Sequence, residues 1–172
     1  MNARSSLERL AAALKTAGLE AILIGNAAAA LQGAPVTTLD FDLLFRKSPR
    51  NVKKLRTFAD ALGAVVLKPY YPASDLYRVV DEDGGLQVDF MTRIHGVRSF
   101  ESLRSRAVAF DIGDARLLVA DLADILRSRR MAGRPRDLAV LPVLEATLDE
   151  RRKVGEAKSK TAARSTSTRK RT

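Results

Sequence analysis

The chain has 172 residues, enough for one domain with a real core, and 46% of them are hydrophobic, which excludes a disordered protein. There is no cysteine and one histidine, His95, so disulfides, cysteine nucleophiles and His/Cys zinc sites are excluded; a bound metal must be held by carboxylate oxygen, which favours Mg²⁺ or Mn²⁺. The net charge of +10 is concentrated at one end, because residues 151–172 hold 9 of the 30 Lys and Arg against a single acid, Glu156.

In chain order, Ser5 with Glu8 three residues on reads as a capping box, and Leu7, Leu10, Ala11 and Leu14 then recur at helical spacing until Gly18. Residues 20–24 read as a strand, Gly25-Asn26 as a turn, and 27–32 as a short Ala-rich helix stopped by Gly33 and Pro35. Residues 39–45 form the next strand. Ser48-Pro49 is an N-cap and N1 pair opening a helix with Val52, Leu55, Phe58, Ala59 and Leu62 on one face, ended by Gly63. Strands are expected over 64–67, 76–80 and 86–91, the last two joined as a hairpin across Asp83-Gly84-Gly85. A short helix over 99–105 precedes two strands, 108–112 and 116–119, that pair across Gly113-Asp114. Asp121 caps a helix over 122–131, Arg134-Pro135 interrupts it, and Pro142 calls for a break or kink in the helix that follows. Tyr70-Tyr71, between Pro69 and Pro72, reads as loop packing and His95 as a loop histidine.

After Val154 the apolar residues vanish. The expected organisation is a single α+β, α/β-like domain over 1–154, with a small mixed sheet flanked by helices, and a disordered basic tail over 155–172. The longest apolar stretch, 21–36, is interrupted by Asn26, Gln32 and Pro35. It is too short and too broken for a membrane span, and the expected setting is the cytoplasm.

The chemistry is concentrated in three carboxylates. Asp40 and Asp42 are two apart in one strand and therefore share a face, while Leu39, Phe41, Leu43 and Phe45 are expected to point to the core. Two carboxylates on one face repel unless a cation lies between them. If the 86–91 strand lies beside this one, Asp89 joins them. Such a set suits transfer at an α-phosphate, where two divalent metals about 3.5–4 Å apart neutralise the entering and leaving oxygens. The Gly25-Asn26 turn opens a helix, where backbone N–H groups can meet phosphate.

The run Leu23-Ile24-Gly25-Asn26-Ala27, then Gly33, Thr37-Thr38-Leu39-Asp40-Phe41-Asp42 and Val88-Asp89-Phe90, resembles the nucleotidyltransferase (DNA polymerase β-like) superfamily. With Arg129-Arg130-Met131-Ala132-Gly133-Arg134-Pro135-Arg136-Asp137, it also resembles the bacterial abortive-infection type IV toxin-like nucleotidyltransferases, over roughly residues 5–150. The resemblance implies that Asp40 and Asp42 ligate both metals. Asp89 would ligate one and help activate an acceptor hydroxyl. Gly25, Asn26 and Thr38 would lie at the nucleoside triphosphate, with Arg129, Arg134 and Asp137 near the nucleotide or bracing the site. It implies transfer of a nucleoside monophosphate to a hydroxyl of RNA, protein or a small molecule, and a toxin–antitoxin partner. Asn26 stands where the family has Gly or Ser, and Arg129 where it has Lys, so a non-catalytic binding or antitoxin module is the alternative. The basic tail suits non-specific contact with nucleic acid.

Overall fold

In the computed structural model, the described residues are 3–38, 40–67 and 75–169, with side chains described only between Ser5 and Glu156. Leu39 and Tyr70-Tyr71 lie outside the described residues. The elements run α1 (Ala3–Ala17), β1 (Ala21–Ile24), α2 (Gly25–Leu31), β2 (Asp40–Phe45), α3 (Pro49–Leu62), β3 (Val65–Leu67), β4 (Tyr77–Asp81), β5 (Leu86–Met91), α4 (Phe100–Arg104), β6 (Val108–Ile112), β7 (Ala115–Val119), α5 (Leu122–Ala132) and α6 (Pro135–Arg169).

The strands form one seven-stranded mixed sheet in the order β3-β4-β5-β2-β1-β7-β6. The β2–β5 and β1–β7 pairs are parallel and the other four are antiparallel. The alternation of β2 divides the sheet into two chemistries. Leu43 and Phe45 are fully buried, and Phe45 meets Tyr77 and Phe90 edge-on at 5.9 and 5.7 Å. Phe58 of α3 packs on Phe90 at 5.0 Å, which seats α3 on this face beside α1. Each such buried aromatic contributes roughly 1.5–3 kcal/mol. On the other face α2, α5 and α6 pack against one another near β1 and β2, and the β2–β5–β4 surface beside them stays open.

Local signals explain most boundaries. The Ser48 side chain accepts from Asn51 N at 3.1 Å, and Gly63 ends α3 at φ 67°. Asp121 accepts from Ala123 N at 2.9 Å, and Gly133 ends α5 at φ 63°. Three expectations are corrected. Helix α1 already includes Ala3, so Ser5 and Glu8 lie inside it and form no capping box. Gly25-Asn26 is the first turn of α2 rather than a separate turn, since Ile24 is its N-cap. Of the break or kink expected at Pro142, the break does not occur: α6 runs through Pro142, which is exposed, as is Leu138, the residue whose carbonyl the missing N–H would have met. Helix α6 continues to Arg169, but every side chain from Arg151 to Glu156 is exposed, so core packing stops where the apolar residues run out. No described helix is long and apolar enough to cross a membrane.

Candidate active site

Strand register does the first work. Ile24 pairs with Asp42, Asp42 with Asp89, and Asp89 with Arg78, so these four residues form one row across β1, β2, β5 and β4. Residues in such a row project to one face. Asp40, Asp42 and Asp89 each place a carboxylate oxygen within 4.8 Å of the others. They line a cleft of about 680 Å³ that also holds Gly25, Asn26 and Thr38.

Each carboxylate is held differently. Thr38 Oγ1 donates to Asp40 Oδ1 at 2.9 Å or to the Asp40 carbonyl at 2.8 Å, which fixes the entry to β2. Asp42 has no such donor among the described residues. Burial, followed by the charges of Asp40 and Asp89, pushes its carboxyl up to about 6. Asp89 is buried and bound by the Arg78 fork, with Nε to Oδ1 at 2.7 Å and Nη2 to Oδ2 at 2.8 Å. Three carboxylates this close suit a hard divalent cation, and the all-oxygen donor set fits Mg²⁺ or Mn²⁺.

Gly25 is needed here for two separate reasons. Its φ is +69°, and a Cβ on it would stand 2.4 Å from Asp42 Oδ2. Any side chain would strain the backbone and press on the carboxylate.

The remaining expected residues form one continuous network. Asn26 donates through Nδ2 to the carbonyl of Thr37 at 3.1 Å and accepts through Oδ1 from Arg129 Nη2 at 2.7 Å. Arg129 Nη1 donates to Asp137 Oδ1 at 2.7 Å, and Arg134 Nε donates to Asp137 Oδ2. Asp137 is 1% exposed. Burial pushes its carboxyl up, but the hydrogen bonds and charges of Arg134 and Arg129 outweigh that and hold it below the usual carboxylate range. Asn26 thus ties α2 to the β2 approach and to α5, a tie a Gly has no side chain to make. All nine expected residues line the one cleft.

Sequence reasoning missed Arg78 and Arg136. Arg136 lines the cleft, its charge acts on Asp42, and it makes no ion pair among the described residues. His95, expected in a loop, is exposed at the cleft wall. The signal for Arg136 was its place between Arg134 and Asp137; Arg78 had none, because only the hairpin register of the folded chain sets it opposite Asp89.

The sequence matches no family model and no curated protein. Solved structures do match. The antibiotic-resistance factor ANT(2'')-Ia, whose solution structure reveals substrate-regulated conformation dynamics, aligns with TM-score 0.58 at 15% identity, covering 93% of each chain. A putative nucleotidyltransferase from Thermotoga maritima aligns with TM-score 0.58 at 16% identity, covering 85% of this chain and 92% of that one. The chain has a nucleotidyltransferase fold. In this nucleotidyltransferase fold the acidic row, the glycine at the start of α2 and the α5–α6 junction surround a single cleft.

Proposed function

We propose that the chain is a metal-dependent nucleotidyltransferase that moves a nucleoside monophosphate from a nucleoside triphosphate to a hydroxyl acceptor. The observation that carries this reading is the convergence of Asp40, Asp42 and Asp89 from two parallel strands to within 4.8 Å, in an open cleft beside Gly25. Asp40 and Asp42 would hold the Mg²⁺ or Mn²⁺ that arrives with the triphosphate, and Asp89 would serve a second ion on the acceptor side. The metal supplies charge neutralisation at the entering and leaving oxygens when bound. Gly25 keeps the space over Asp42 open, so the triphosphate can reach the carboxylates. Arg136 and Arg134 supply positive charge at the same cleft, suited to phosphate. Asn26, Arg129 and Asp137 brace the two walls.

The segment from Arg129 to Asp137 carries the reading further, to the abortive-infection type IV toxin-like group. With that come an RNA or protein acceptor, a cognate antitoxin or toxin as partner, and work in the cytoplasm. The test of the core reading is titration calorimetry with Mn²⁺ and each nucleoside triphosphate. Wild type should bind triphosphate only with the metal, and Asp42→Ala should lose metal-dependent binding while staying folded. Equal metal-dependent affinity in the two proteins contradicts the assignment.

A further inference from the structure

The Arg78–Asp89 pair is an unusual neighbour for a metal site. A cation beside carboxylates that must hold a second cation weakens the metal's attraction to them. A triad that only needed charge would do better without Arg78. Yet Arg78 is paired in register with Asp89 and grips it through both nitrogens of one edge of the fork. Asp89 is 8% exposed at its side chain and Arg78 is 38% exposed, so the carboxylate is the enclosed partner and the guanidinium reaches it from the open side. Arg78 approaches from β4, while Asp42 flanks the same carboxylate from β2.

From this geometry we infer that Arg78 is a positioning residue of the metal site: its planar fork fixes the rotation of the Asp89 carboxylate, and this orientation, rather than the charge, is what the site requires. The inference rests on the metal-dependent reading above. The chemistry of the donors supports it. A carboxylate has about four lone-pair directions, and a bidentate guanidinium uses one on each oxygen. One on each oxygen stays available to a metal, in a plane that Arg78 has set. Without the fork, Asp89 would be free to rotate about its last torsion, which has broad wells. A lysine supplies the same charge as a point and cannot fix a plane.

The consequence has a definite sign. Mn²⁺ alone is titrated into the full chain, with free Mn²⁺ read by electron paramagnetic resonance, for wild type, Asp42→Ala, Asp89→Asn, Arg78→Lys and Arg78→Gln. Positioning predicts that Arg78→Lys and Arg78→Gln both weaken Mn²⁺ binding by about tenfold or more, the scale of lost support behind a metal ligand. In the Asp89→Asn background, Arg78→Lys should add nothing further. Simple charge compensation predicts the opposite: wild-type affinity for Arg78→Lys and tighter binding for Arg78→Gln. A role confined to holding β4 on β5 predicts a lower melting temperature with unchanged Mn²⁺ affinity. Either of those results overturns the inference. Should Arg78→Gln fail to fold, Arg78→Lys decides alone, because it keeps a cation beside buried Asp89. If wild type binds no Mn²⁺, the metal-site reading itself fails. If wild type binds, Asp42→Ala does not, and Arg78→Lys matches wild type, only the role of Arg78 is wrong.

Discussion

Asp42 carries the cost of the site in the absence of metal. Its carboxyl is pushed up to about 6 from 3.8, with burial the largest cause and the charges of Asp40 and Asp89 next. A carboxyl raised in the folded state binds more protons there than in the unfolded chain between these two values. Stability therefore falls as pH rises from about 4 to about 6, and the penalty is fully present above that. Replacing Asp42 by Asn removes the penalty, so the metal-free variant should be more stable than wild type at pH 7.5 by roughly 1–3 kcal/mol, and the gap should close toward pH 4. Urea denaturation at the two pH values checks this. A destabilised Asp42→Asn at pH 7.5 would mean that the carboxylate gains more from its neighbours than burial costs it. The same titration predicts that metal binding weakens as pH falls through 6, since a proton and a cation compete for one group.

At the scale of elements, the decisive structure is the α5–α6 junction. Gly133 ends α5 in the left-handed region and Pro135 opens α6, so the chain turns sharply and returns Asp137 against Arg129. Asp137→Ala strips the charged partner from Arg129, leaving it the Asn26 amide; its side chain is 16% exposed and its Nε already lacks a hydrogen-bond partner. That change should cost about 3–5 kcal/mol, the range for breaking a buried pair on one side, and thermal melting reads it. A loss under about 1 kcal/mol would show that the pair is solvated. Much of this was legible in the sequence. The Ser48-Pro49 cap, Gly63, Asp121 and the Asp40-Phe41-Asp42 alternation are local signals, and local physics decides them. What was not legible is register. The turn Asp83-Gly84-Gly85 was visible, but the pairing is centred between Asp83 and Gly84, because Asp81 accepts from Gly84 N at 2.8 Å and pairs with Leu86. Centring one half-step later, on Gly84, puts Val79 opposite Asp89 and hides Arg78. The Ser5–Glu8 spacing misled because a cap is defined by where the helix starts, and α1 already includes Ala3.

Over the whole molecule, charge and chemistry are segregated. The domain body is nearly neutral, and the strong excess of Lys and Arg lies in residues 151–172, of which Arg151 to Glu156 are exposed. A chain ending at Val154 loses six Lys and Arg and one Glu. It should keep the fold and metal-dependent triphosphate binding. Its affinity for single-stranded RNA should depend much less steeply on salt, the log–log slope falling by about 0.7 for each phosphate that the tail no longer engages. An unchanged slope in a filter-binding titration would place the nucleic-acid surface on the body instead. The body's own function is tested most directly by following label. The full chain is incubated with each α-labelled nucleoside triphosphate, Mg²⁺ or Mn²⁺, and total cellular RNA or protein, beside Asp89→Asn in the same preparation. Wild type is expected to transfer label to one acceptor class, and only with the metal. In Asp89→Asn, transfer should fall about 10²-fold or more while triphosphate affinity stays near wild type, because an interaction made chiefly in the transition state is removed. Full transfer by Asp89→Asn, or no metal-dependent transfer by wild type with any triphosphate, would contradict the assignment of this cleft to nucleotidyl transfer.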